Sequence, residues 1–78
     1  MIGNKSAYEE WLRNHKKGEN WEPLWAEFTN KNHPIVMLVN AEKEYCLSVQ
    51  RNGNGKYFNK YFNSVSEAYT YFQQKLKE

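Results

Sequence analysis

Residues 35–49 read IVMLVNAEKEYCLSV and decide the fold class, because two different apolar patterns meet in this stretch. The run 35–39 is continuously apolar and mostly β-branched, which is typical of a strand that is covered on both faces. The segment 44–50 alternates, with Tyr45, Leu47 and Val49 on one face and the smaller or polar residues on the other. Residues 40–43 lie between the two patterns and predict a turn.

Downstream, residues 52–55 read NGNG, a strong hairpin signal because Asn and Gly tolerate positive φ. The segment 56–62 then predicts a third strand, in which aromatic and polar side chains alternate between the two faces. Phe58, Lys60 and Phe62 share one face, and the other holds Tyr57, Asn59 and Tyr61. A helix is predicted from about 65 to 77, opened by a capping box of Ser64 and Glu67. Its expected apolar stripe consists of Val65, Ala68, Tyr69, Phe72 and Leu76.

Upstream, two helices are predicted. The first covers about residues 7–17, with a capping box of Ser6 and Glu9 and an end at Gly18. The second covers about 21–29, since its large apolar residues recur at i, i+3, i+4 and i+7. Those residues are Trp21, Leu24, Trp25 and Phe28. The polar run 30–34 would end this helix.

These elements predict one α+β domain over residues 1–78, since the chain is too short for two domains. The expected arrangement is α(α)βββα, a three-stranded antiparallel meander packed against helices. The helical N-terminal part covers about 6–30, the meander about 35–62 and the C-terminal helix about 64–77. Whether the N-terminal helices cover the sheet face that carries Tyr57 and Tyr61 is left open.

Composition narrows the function. The single cysteine excludes an internal disulfide and a cysteine-based zinc site. Aromatic residues make up 17% of the chain, so some are expected at the surface, where Tyr and Trp favour binding. The formal net charge of +2 is weaker than that of a dedicated DNA-binding protein. No apolar run is long enough to span a bilayer and no signal peptide opens the chain, so a cytoplasmic protein is expected.

The residue types that carry catalysis show no suitable spacing. His15 and His33 have no partner at metal-binding spacing, and no nucleophile motif surrounds Cys46. The adjacent residues Glu9 and Glu10 point in different directions on a helix and do not form an acid–base pair. The sequence therefore predicts a protein that is not an enzyme and that binds no cofactor and no metal.

The first functional hypothesis is a small non-catalytic protein-binding protein that occupies a partner's surface. In size and composition it is similar to phage- or plasmid-encoded inhibitors of host enzymes. The predicted contact residues are Trp11, Trp25, Tyr57 and Tyr61, with Arg51 and Lys60 at the rim.

The alternative is nucleic-acid binding through the meander and its 51–60 hairpin, which would make affinity strongly dependent on salt. Its residues would be Arg51, Lys56, Tyr57, Asn59, Lys60 and Tyr61. A third hypothesis is a homodimer that pairs an exposed strand edge or the tyrosine face with its own copy.

One pattern also resembles a known module. Asn54-Gly55-Lys56 is followed by Phe58, Lys60 and Phe62, and then by Ser64, Glu67 and Ala68 at the start of a helix. Residues 44–76 thereby resemble the three-stranded-sheet-plus-helix DNA-binding modules of AP2 domains and of integrase N-terminal arms. The resemblance implies that the sheet face with Cys46, Ser48, Gln50, Tyr57, Asn59 and Tyr61 would lie in the DNA major groove. That face contains no basic residue here, whereas the modules carry Arg and Lys on it.

Overall fold

The computed structural model describes residues 2–15, 20–51 and 56–77, with the backbone alone for Arg51. In these ranges the chain forms two helices and four strands. The elements are α1 (Lys5–Asn14), β1 (Glu22–Phe28), β2 (Pro34–Val39), β3 (Tyr45–Arg51), β4 (Lys56–Phe62) and α2 (Val65–Leu76). All four strands form one antiparallel sheet in the order β1-β2-β3-β4. The predicted α+β class is confirmed, but the sheet has one strand more than predicted.

Both faces of β2 are buried, as the apolar run 35–39 predicts. Two hydrophobic clusters share this strand, one on each side of the sheet, so each face is covered by a helix. The α1-side cluster consists of Ala7, Trp11, Ala26, Val36, Leu38 and Cys46. The α2-side cluster consists of Ile35, Met37, Leu47, Ala68 and Phe72. The small chain therefore has three layers with the sheet in the middle.

The extra strand is β1, where the sequence predicts a second helix, and that prediction is wrong. The pairing of β1 with β2 shifts register between Pro23 and Trp25. Across this irregularity the consecutive residues Leu24 and Trp25 both pack against the α2-side cluster, while Trp21 and Phe28 pack against the α1-side cluster. A bulged strand thus reproduces the i, i+3, i+4, i+7 spacing of a helix.

Helix α1 begins two residues earlier than predicted and ends at Asn14. Its N-cap is Asn4, whose side chain accepts a hydrogen bond from the Ala7 N–H at 3.1 Å. The predicted capping box of Ser6 and Glu9 is therefore wrong. The backbone N–H of Asn4 donates to the Ala26 carbonyl of β1 at 2.8 Å, and this tertiary contact fixes where the helix starts. The predicted end at Gly18 lies outside the described residues.

Helix α2 has the predicted position but a different buried side. Ser64 is its N-cap without a side-chain hydrogen bond, so the second capping box does not form either. Ala68 and Phe72 are buried as predicted, whereas Val65 and Tyr69 are about half exposed. Tyr71 packs against the α2-side cluster instead. The side of α2 that faces the sheet thus differs from the predicted stripe. It includes Tyr71, whose ring packs against Phe62 of β4 with 5.4 Å between centroids.

The last two strands match their predictions closely. β4 has the predicted bounds, and β3 pairs with it in a regular register from Tyr45↔Phe62 to Arg51↔Lys56. The predicted division of faces is confirmed, since Tyr57 packs on the α1 side and Phe62 on the α2 side. The predicted NGNG hairpin at 52–55 lies outside the described residues. No helix in the described part of the chain is long and apolar enough to cross a membrane.

Candidate interaction surface

Helix α1 packs over β1 and β2, and its Trp11 side chain reaches across to β3 and β4. Trp11 is fully buried, and its indole Nε1–H donates a hydrogen bond to the buried Ser48 Oγ at 2.8 Å. The same indole meets the Tyr57 ring edge to face, with 6.4 Å between centroids. The sheet face that would serve as an open tyrosine surface is therefore closed at Ser48 and Tyr57.

The end of α1 adds a third ring to this contact. The His15 imidazole lies 4.8 Å from the Trp11 ring and 5.0 Å from the Tyr57 ring, between centroids. Burial lowers the pKa of His15 and raises the pKa of Tyr57 to about 12. The nearby Asn14 side chain lowers the pKa of Tyr57, but less than burial raises it. The Asn14 amide donates its hydrogen bond to the Glu10 carbonyl at 3.2 Å. No described group hydrogen-bonds the buried Tyr57 hydroxyl.

The second half of β4 is not covered on the α1 side. Tyr61 is 60% exposed, and its ring is held against Trp21 of the segment before β1 at 5.9 Å between centroids. Cys46 lies behind it on β3 and is buried. Burial raises the pKa of Cys46 to about 11, so the thiol is protonated at neutral pH and is a poor nucleophile.

On the α2 side of β4, two lysines flank one tyrosine ring. The Lys60 ammonium lies 4.6 Å from the ring centroid of Tyr71 and 5.8 Å from that of Phe62. The Lys75 ammonium approaches Tyr71 from α2 at 5.3 Å. These are cation–π distances, so the rings restrain both charges. A shallow groove of about 350 Å³ lies between α2 and the end of β4. Its lining residues are Phe62, Ser66, Glu67, Thr70, Tyr71 and Gln74.

β4 is an edge strand, and no described strand lies beyond it. Phe58 and Lys60 project on the α2 side, and Asn59 and Tyr61 project on the α1 side. All four side chains are exposed, Phe58 at 37% and Tyr61 at 60%. We call these four residues the β4 surface.

The structure separates the predicted contact residues. Lys60 and Tyr61 belong to the β4 surface, and Lys56 is exposed on the same strand. Trp11 is fully buried, so it is not a surface anchor, and Tyr57 lies half-buried beside it. Trp25 lies on the opposite edge of the sheet and packs against the α2-side cluster. The Arg51 side chain is outside the described part.

Sequence reasoning missed two residues that support this surface, Trp21 and Tyr71. The i, i+4 spacing of Tyr71 and Lys75 was a usable signal, since such residues are neighbours on a helix. No local signal connects Trp21 with Tyr61, because they are 40 positions apart and meet through the fold.

No known protein family, curated protein or solved structure shows significant similarity to this chain. Its function is therefore inferred from its own residues. Within 2–15, 20–51 and 56–77, no three His, Cys, Asp or Glu side chains are grouped to hold a metal ion. The resemblance to AP2 domains and integrase arms stays a prediction, and the Trp11 side chain of α1 contacts Ser48 and Tyr57 of the face that it assigns to DNA.

Proposed function

We propose that this chain is a non-catalytic protein-binding protein that acts by occupying a partner's surface, and that the β4 surface makes the contact. An inhibitor that blocks an enzyme's surface is one protein of this kind. The observation that carries the proposal is the exposure of Tyr61, Lys60 and Phe58 on an edge strand with no further described strand beyond it.

The chemistry of this strand suits a protein interface. Tyrosine and phenylalanine are enriched in interface cores, where they bury a large area for few rotatable bonds. Tyr61 and Lys60 are also restrained before any partner binds, because Trp21 and Tyr71 pack against them. Restraint of this kind lowers the entropy cost of association.

The test compares two tyrosines of similar exposure. Wild-type protein and the variants Tyr61→Ala and Tyr69→Ala are immobilised and incubated with a nuclease-treated lysate of the source cells. Tyr69 is 54% exposed on α2 and lies outside both clusters, so it is the matched control. We expect wild type and Tyr69→Ala to retain the same protein and Tyr61→Ala to lose it. Equal retention by both variants would contradict the assignment of the surface.

Nucleic-acid binding is the second candidate, and one observation favours it. The ammonium groups of Lys60 and Lys75 lie 4.6 Å and 5.3 Å from the centroid of the Tyr71 ring. Cations beside aromatic rings suit a single strand, whose phosphates and bases they contact. Titration with labelled DNA and RNA at two salt concentrations separates the candidates. Micromolar affinity that falls by orders of magnitude with salt would support nucleic acid.

A further inference from the structure

We propose that the partner contributes an extended acidic segment, which adds to the outer edge of β4 as a fifth strand of the sheet. This inference rests on the proposed protein-binding function and specifies its mode. Main-chain hydrogen bonds would supply affinity, and the alternating side chains of the β4 surface would supply specificity.

The two edges of the sheet differ in whether they can accept a strand. At β1 the N-terminal segment lies along the strand, with the Asn4 N–H bound to the Ala26 carbonyl. A side chain at Gly3 would collide with the ring of Trp25, which shows how closely this segment approaches. Pro23 also lacks the N–H that a new strand would need. β4 contains no proline and keeps a regular register over its seven residues.

The charge around β4 selects the partner's chemistry. β4 reads KYFNKYF, with two lysines and no acidic residue. Beside it, α2 adds Lys75, and the one carboxylate within that helix is Glu67. Opposite charges on directly facing strand positions stabilise pairing, and like charges oppose it. Glutamate or aspartate on the incoming strand would therefore face lysines.

A second copy of this chain does not meet these requirements. Pairing β4 with β4 brings four lysines to one seam, and neither strand carries a carboxylate. Pairing β4 with β1 would supply Glu22 and Glu27, but the N-terminal segment already lies on β1. Lysines on an edge strand are a common barrier to self-association. A nucleic acid meets the charge requirement but cannot continue a backbone ladder.

The experiment uses defined peptides and the full chain. The probe is an acetylated, amidated heptapeptide of alternating valine and glutamate, measured by fluorescence anisotropy. One control peptide carries glutamine in place of glutamate, and another carries N-methyl groups on the central valine and glutamate, which block both backbone edges. The proposal expects each change to weaken binding at least about tenfold. It also expects slower amide exchange at Asn59 and Tyr61 when the acidic peptide is bound.

A pair of protein variants assigns the charge. Lys60→Glu should weaken the affinity for the acidic peptide at least about tenfold. Lys31→Glu makes the same change in charge at an exposed residue of the β1–β2 turn, and it should leave this affinity unchanged. Binding that survives N-methylation would show attraction without a ladder and would overturn the proposal. No binding at about 1 mM peptide would overturn it too. A dimer in sedimentation experiments whose stability changes in Lys60→Glu would also overturn the proposal, because a second copy would then occupy the β4 edge.

The outcomes separate this inference from the function on which it rests. If Tyr61→Ala loses a captured protein but N-methylation leaves peptide binding unchanged, the protein-binding function stands and the added strand is wrong. If no protein is captured and no peptide binds, both fail.

Discussion

The indole N–H of Trp11 donates to Ser48 Oγ at 2.8 Å and joins α1 to the middle of β3 across 37 positions. Both side chains are fully buried, so neither polar group has water as an alternative partner. This contact closes the sheet face at Ser48 and Tyr57, whereas Tyr61 in the second half of β4 stays exposed.

Ser48→Ala should lower the free energy of unfolding by about 1–3 kcal/mol, because the indole N–H would remain buried without an acceptor. Urea melts measure the loss. Leu12→Ala is the control, since Leu12 is 43% exposed on the same helix and should cost less than Ser48→Ala. Equal losses for the two variants would mean that the hydrogen bond does not stabilise the fold.

Phe72→Ala should lower the free energy of unfolding by about 3–5 kcal/mol, because it removes a large side chain from the core. Phe72 is fully buried between α2 and the sheet. Phe62→Ala should cost less, because Phe62 is only half-buried. Circular dichroism and urea melts give both values, with Tyr69→Ala as an exposed aromatic control. A loss under about 1 kcal/mol for Phe72→Ala would contradict the α2-side core.

Tyr57→Phe should raise the free energy of unfolding by up to about 1 kcal/mol, because it removes a buried hydroxyl that no described group hydrogen-bonds. The ring contacts with Trp11 and His15 remain. Tyr69→Phe is the control and should have little effect, since Tyr69 is 54% exposed. A substantial loss for Tyr57→Phe would reveal a partner for the hydroxyl.

Stability should fall at alkaline pH because of Cys46. Its folded pKa of about 11 lies above the ordinary 9.0, so the folded state holds the thiol proton more tightly than the unfolded state does. The contribution is complete below about pH 9 and decreases as pH rises toward 11. Urea melts at several pH values from about pH 8 to about pH 10 give the free energy of unfolding as a function of pH. This free energy should fall less steeply with pH in Cys46→Ala than in wild type. Parallel slopes would contradict the assignment.

Several features could be predicted from local sequence. The unbroken apolar run 35–39 determined that β2 is covered on both sides, since no exposed face could carry it. Strict alternation in β3 and β4 determined which side chains share a face, because the strand period is two. The sequence placed Lys60 and Tyr61 on opposite faces of one strand but left open whether the Tyr61 face is covered.

Other features depended on contacts between distant segments. The spacing of Trp21, Leu24, Trp25 and Phe28 fits a helix, and pairing with β2 converted it into a bulged strand. Trp11 was predicted as a surface residue that contacts a partner. It is instead buried, and its indole N–H donates to Ser48 on β3.

The sequence by itself determined the α+β class, the two-sided burial of β2 and the faces of β3 and β4. Only the tertiary structure decided that β1 is a strand, that α1 closes the face at Tyr57, and that β4 is the accessible edge. The physical reason is the separation along the chain of the residues involved. Periodicity depends on neighbouring residues, whereas strand pairing and helix docking depend on residues far apart in the chain.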